Sequence, residues 1–169
     1  MRRIRHALLG GLAACLIVAG PAQAGVPNAT LRGGDKAIAP VGAPTYVKKM
    51  IAAGNEIRSK PYKWGGGHAD WTDSGYDCSG AVSYVLHEAG VLGQDWALDS
   101  GGFMKWGQKG PSKWVTVYAN EEHAYMVVAG LRFDTSYITD GDKSGPGWSE
   151  QMRSSQGFKA RHPDGSRNW

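Results

Sequence analysis

Gly75-Tyr-Asp-Cys-Ser-Gly80 runs straight into Ala81-Val-Ser-Tyr-Val-Leu-His-Glu-Ala-Gly90, and the architecture turns on this junction. Ala81, Val82, Val85, Leu86 and Ala89 recur at helical spacing, and Gly90 is a natural terminator, so a helix opens at Cys78 and buries one face. A thiol in the first turn of a helix meets the positive end of the helix dipole and backbone N–H groups without intrahelical partners. Both favour the thiolate. The same N–H groups can receive the oxyanion that forms when a thiolate attacks a carbonyl. From these residues alone, a buried cysteine packing as a small hydrophobe is the alternative.

Upstream, Pro61-Tyr-Lys-Trp-Gly-Gly-Gly-His68 turns through a glycine run. Before it, Val47, Met50, Ile51, Ala53 and Ile57 predict an amphipathic helix over residues 45 to 58, ended ahead of Pro61. Residues 25 to 44 carry three prolines and few large apolar side chains, and are expected to form a flexible linker. The domain is therefore expected over residues 45 to 169. At the N-terminus, basic Met1-Arg-Arg-Ile-Arg-His6, an apolar stretch from Ala7 to Gly20, and Ala22-Gln-Ala24 have the form of a signal peptide, residues 1 to 24. Leu12-Ala-Ala-Cys15 also has the look of a lipoprotein cleavage site, an alternative weakened by the apolar run continuing past Cys15.

This leader explains most of the charge. The 169 residues carry 19 basic and 15 acidic side chains, but three of the arginines lie in residues 1 to 24 and no acid does. Sixteen basic residues against fifteen acidic remain, which gives no basic stripe for a nucleic-acid partner. No segment offers about 18 uninterrupted apolar residues, so no transmembrane span is expected in the mature chain. Of the two cysteines, only Cys78 survives cleavage after Ala24, which excludes an internal disulfide.

Downstream the apolar period changes to two. Residues 113 to 119, 123 to 128 and 131 to 137 predict antiparallel strands, with Ala129-Gly130 as a two-residue turn. That turn pairs positions whose numbers sum to 259. Ser136 then faces His123, Asp134 faces Tyr125, and the four side chains share one face. Asp134 becomes a diagonal neighbour of His123, able to fix its tautomer and steady the imidazolium. A one-residue bulge would turn Asp134 away.

The other histidines fit this role less well. His87 lies over two turns beyond Cys78, His162 is expected in a solvated tail, and His68 has no obvious neighbour to orient it. Cys78 and the histidines lack the paired spacings that hold zinc. Asp140-Gly-Asp142 lacks the other ligands of a calcium loop and is expected to be a solvated turn within a loop over residues 139 to 149. No metal or cofactor is implied.

Tyr62-x-Trp64-Gly-Gly66, Gly75-Tyr-Asp-Cys78-Ser-Gly80 and His123 at the head of a strand together resemble the NlpC family of papain-like cell-wall peptidases, over about residues 45 to 138. The resemblance implies an α+β fold with the nucleophile helix packed on an antiparallel sheet. It implies Cys78 as nucleophile and His123 as base, with the hydroxyl of Tyr62 beside the oxyanion. Asp77 and Ser79 resemble residues that hold the acyl-side peptide, and Ser100 resembles a further substrate-contacting serine. The family commonly has His, Asn or Gln at its third catalytic position, whereas Asp134 stands eleven residues after His123 here.

The implied substrate is the peptidoglycan stem peptide, cut at the amide between the side-chain carboxyl of D-glutamate and the diamino acid. The enzyme is expected to be exported to the periplasm, cell wall or medium and to act as a monomer. The alternatives are a wall-binding module that uses Trp64, Trp71, Trp96 and Trp106 as contact surface, and an amidase or toxin with the same three residues.

Overall fold

The structure, a computed structural model, describes residues 27–137 and 144–164. The expected signal peptide, Cys15 and the Asp140-Gly-Asp142 turn lie outside the described residues. Two strands come first, β1 (Thr30–Arg32) and β2 (Lys36–Ile38), then three helices, α1 (Thr45–Ile57), α2 (Cys78–Glu88) and α3 (Ser100–Phe103). Six strands follow: β3 (Gln108–Lys109), β4 (Val115–Ala119), β5 (Ala124–Val128), β6 (Leu131–Asp134), β7 (Gly147–Ser149) and β8 (Lys159–His162). These six form one antiparallel sheet in the order β3-β8-β4-β5-β6-β7, giving the expected α+β architecture.

Helix α2 is the centre of the packing. It contacts α1 on one side and β5 and β6 on the other, so its residues from Ser79 to Leu86 are all buried. Apolar side chains meet both neighbours, and the hydroxyl of Ser83 is satisfied by donating to the Leu98 carbonyl and accepting from the Leu98 N–H. Its start is set by Asp77, whose carboxylate accepts from the Gly80 N–H at 2.7 Å. Its end is a Schellman motif: Gly90, at φ +68°, donates to the His87 carbonyl, and Val91 donates to that of Leu86. Helix α1 presents Val47, Met50, Ile51, Ala53 and Ile57 to the core, as its periodicity predicts.

The β5–β6 pairing has the register read from the sequence: Met126 opposite Phe133, Val127 opposite Arg132 and Val128 opposite Leu131. Ala129 and Gly130 make the turn at φ +46° and +81°, the sign that a tight hairpin of this hand needs at both central positions. Left-handed backbone costs an alanine about 1 kcal/mol. Two hydrogen bonds hold it there: the Ala129 N–H donates to the Trp114 carbonyl at 2.8 Å, and its carbonyl accepts from the Ala29 N–H at 2.7 Å.

Three expectations need correction. Residues 25 to 44 are not a flexible linker throughout, because β1 and β2 pair as a hairpin that buries Ala29, Ala37 and Ala43 and is tied to α1. Asn55 makes that tie, accepting from the Ala37 N–H at 2.9 Å and donating to its carbonyl at 2.8 Å. The segment 139 to 149 is not wholly loop, since Gly147–Ser149 adds a strand beside β6 and buries Trp148 against Phe133. His162 is not in a solvated tail but on β8, where its Nδ1 lies 3.0 Å from the Gly110 carbonyl. Strands of three or four residues show too little alternation to be seen in sequence, and their partners lie far along the chain. No described helix is long and apolar enough to cross a membrane.

Asn55→Ala removes both hydrogen bonds to the hairpin. It should cost about 1–3 kcal/mol in denaturant unfolding, whereas an unattached segment would leave the midpoint unchanged.

Candidate active site

Cys78 is the first residue of α2, and His123 immediately precedes β5. The loop between β4 and β5 sets the approach of His123: the Asn120 side chain accepts from the N–H groups of Glu122 and His123, and the Asn120 N–H donates to the His123 carbonyl. Packing of α2 on β5 then brings Cys78 up to the imidazole, close enough for the sulfur to act on the protonation of the ring. On its other side the ring reaches Asp134, with Nε2 2.8 Å from Oδ1. Nδ1 is therefore the nitrogen left for the sulfur. The hairpin register carries through without a bulge that would turn Asp134 away, and Cys78, His123 and Asp134 form one chain of contacts.

Asp134 is 2% exposed, so an uncompensated carboxylate here would cost several kcal/mol. It is heavily compensated. Oδ1 also accepts from the N–H and the hydroxyl of Ser136, each at 3.0 Å. Oδ2 accepts from Arg153 Nη1 at 3.2 Å and lies 3.7 Å from Arg132 Nε. Arg153 is itself fixed by the Ser136 hydroxyl at 2.8 Å and by lying over the rings of Tyr125 and Phe158. Burial alone would push the Asp134 carboxyl up, but these donors, His123 foremost, hold it below the usual carboxylate range. Burial likewise opposes the His123 imidazolium. Hydrogen bonds to Asp134 and Cys78, with the charge of both, outweigh it and raise the His123 pKa to about 9.

A cleft of about 640 Å³ opens over the thiol, lined by Tyr62, Trp64, His68, Asp77, Cys78, Ser79, Asp99, Ser100, Glu121 and Glu122. The residues singled out by resemblance thus share one cavity wall with the thiol. Within α2, the Gly80 N–H is taken by the Asp77 side chain and the Ala81 N–H by its carbonyl. The N–H groups of Cys78 and Ser79 are left ahead of the first helical bond. Ser100 opens α3 and donates to the Glu121 carbonyl at 3.1 Å. Among the described residues, no group of three or more His, Cys, Asp or Glu side chains is arranged to hold a metal ion.

Two features were not legible. Arg153 sits nineteen residues beyond Asp134, in a stretch with no pattern to single it out. His68 does have an orienting neighbour: its Nε2 lies 3.0 Å from Asp77 Oδ1 and 3.2 Å from Ser79 Oγ. The hydrogen bond to Asp77 raises the His68 pKa above its ordinary value, against the effect of burial. The four tryptophans divide. Trp71 stacks on His87 and Trp106 donates to the Leu92 carbonyl, both packed on the core, whereas Trp64 and Trp96 are exposed, Trp64 at the cleft.

No protein-family model matches the sequence, and no curated protein matches it. Among solved structures, the chain is similar to RipB, a peptidoglycan hydrolase of Mycobacterium tuberculosis, at 21% identity over 75% of each chain with a TM-score of 0.52. It is also similar to Rv1477, a hypothetical invasion protein of the same organism, at 22% identity over 83% of this chain and 71% of that one, TM-score 0.50. A third neighbour is RipD, a non-catalytic NlpC/p60 domain protein of that organism with an adaptation to peptidoglycan binding, at 21% identity over 71% of this chain and 98% of that one, TM-score 0.48. The chain has the α+β fold of the NlpC/p60 proteins.

Because the folded pKa of His123 lies above its unfolded value near 6.5, the stability it contributes is complete below about pH 6.5. It is lost as pH rises through about 9. Asp134→Asn should lower the His123 pKa by roughly one to two units, measured by NMR titration of the ring. Arg153→Gln removes a neighbouring cation and should move it upward; a fall in that variant would contradict the charge arrangement described.

Proposed function

We propose that this NlpC/p60-fold chain is an exported cysteine hydrolase that cuts peptidoglycan stem peptides through Cys78, His123 and Asp134. The observation that carries the reading is the imidazole of His123 between Asp134, at 2.8 Å, and Cys78, the latter lining an open cleft. The fold shared with a peptidoglycan hydrolase supports the substrate class. The bond we assign is the amide between the side-chain carboxyl of D-glutamate and the diamino acid.

In this mechanism the Cys78 thiolate attacks the scissile carbonyl carbon. In this reading the N–H groups of Cys78 and Ser79 receive the oxyanion, and Tyr62 lines the same cleft. His123, with its raised pKa, carries the proton that the leaving amine takes up as the C–N bond breaks. The neutral imidazole then draws a proton from water, which attacks the thioester and releases the thiol. Asp134 keeps Nε2 engaged throughout, so Nδ1 stays directed at the reacting atoms. Export rests on the signal peptide proposed for residues 1 to 24, and the domain on a start at the β1–β2 hairpin, ahead of Thr45.

A wall-binding module is the second reading, favoured by one observation: Trp64 is 87% exposed at the cleft, a ready face for stacking on a ligand. Incubating residues 25–169 with purified muropeptides and identifying products by mass spectrometry separates the two. Cys78→Ala should abolish cleavage with the fold intact, and retained activity would end the nucleophile assignment. His123→Ala should cost more than Asp134→Ala, because the orienter acts through position alone. Sedimentation with the wall and no products from either protein is the outcome expected of a binding module.

A further inference from the structure

Asp77, Ser79 and His68 form one hydrogen-bonded unit at the start of α2. Oδ1 of Asp77 accepts from the Gly80 N–H at 2.7 Å and the Ser79 hydroxyl at 3.1 Å and meets His68 Nε2 at 3.0 Å; Oδ2 accepts from the Gly65 N–H at 3.1 Å. Both oxygens of Asp77 are thus engaged, and the carboxylate caps α2 and holds His68. With Nε2 committed, the position of the unit open to a further donor bond is His68 Nδ1, which has no hydrogen-bond partner among the described residues and is not sealed from solvent.

Charge makes that open end decisive. Among the described residues lining the cleft, His68 is the only one whose side chain can become positive. Asp77 and Ser79 face it from the start of α2, and Asp99 acts on it through space from the N-cap of α3. Glu121 and Glu122 line the cleft from the β4–β5 loop. The nearby Lys63 is already paired with Asp73. A substrate carboxylate entering this acidic cleft meets one complementary charge among the described lining residues, the Nδ1–H of the His68 imidazolium.

We propose that His68 is a specificity-determining residue that pairs with a free carboxylate on the acyl side of the scissile amide, with Asp77 as its positioning residue. The inference rests on the proposed hydrolase reading. In a side-chain-linked glutamyl peptide, the main-chain carboxyl lies a few bonds from the carbonyl under attack, so acid and amide forms of that group are the chemistry distinguished. Below the raised pKa of His68 the site donates to a carboxylate; above it, Nδ1 is a lone-pair acceptor and the preference disappears.

Two synthetic muropeptides decide this, identical except that the glutamyl main-chain carboxyl is free in one and a carboxamide in the other. Their kcat/KM ratio is measured from pH 5.5 to 8.5 with the wild-type protein and with His68→Gln. The ratio cancels the ionisation of His123, which both substrates share. We expect the wild type to favour the free acid by about tenfold at pH 5.5, the scale of one charge-assisted hydrogen bond. That preference should fade as pH rises, and His68→Gln should bring the ratio close to one. A wild-type ratio near one, a tenfold preference that does not change with pH, or a preference kept in His68→Gln overturns the assignment. The pH dependence of the wild type decides alone if the variant does not fold. Cleavage of neither peptide overturns the hydrolase reading, and this inference with it.

Discussion

The two-residue turn at Ala129-Gly130 is the constraint on which the site depends. Strands have a side-chain period of two, so one residue more or fewer in that turn would send Asp134 to the opposite face of the sheet from His123. The protein accepts an alanine in left-handed backbone to keep the turn short, and secures it from two directions, by Trp114 and by Ala29 of the N-terminal segment. The segment leading into the β1–β2 hairpin thus buttresses the turn that aligns the candidate site. Given that register, α2 need only pack on β5 and β6 for Cys78 to arrive at the imidazole.

Around this geometry the charges are arranged in two separate groups. In the first, a fully buried carboxylate is shared among His123, Arg153 and the nearby Arg132, so that the negative charge is retained at a depth where it could not stand alone. Two arginines do more than neutralise it, because a carboxylate pinned at Oδ2 presents Oδ1 to the ring in one orientation. In the second group, Asp77 caps α2 and at the same time holds His68. The residue before Cys78 therefore couples the start of the helix to the wall of the cleft. A substitution there would disturb both.

Much of this was legible in the sequence. The apolar stripe from Ala81 to Ala89 and the terminator Gly90 marked α2, and the alternation on either side of Ala129-Gly130 marked β5 and β6 with their register. From those elements the shared face of His123 and Asp134 follows, whereas the approach of Cys78 depends on the packing of α2 against β5. The edge strands β3, β7 and β8 could not be, nor the β1–β2 hairpin. They are two to four residues long, and β8 lies more than fifty residues from β3. Such pairing is specified by the surface it finds and not by its own pattern.

The sequence by itself determined the elements with strong periods, the turn between them, and hence which residues share the central face of the sheet. Only the tertiary structure decided what surrounds that face. Arg153 reaches Asp134 across nineteen residues and stacks on Tyr125 and Phe158, and His68 finds Asp77 because the glycine-rich loop folds back over the start of α2. Charges buried in a core are chosen by their distant neighbours, since burial makes an unpaired charge costly and any compensating partner will serve wherever it lies in the chain. Periodicity records which way a side chain points, but the partner it meets there is a property of the folded molecule.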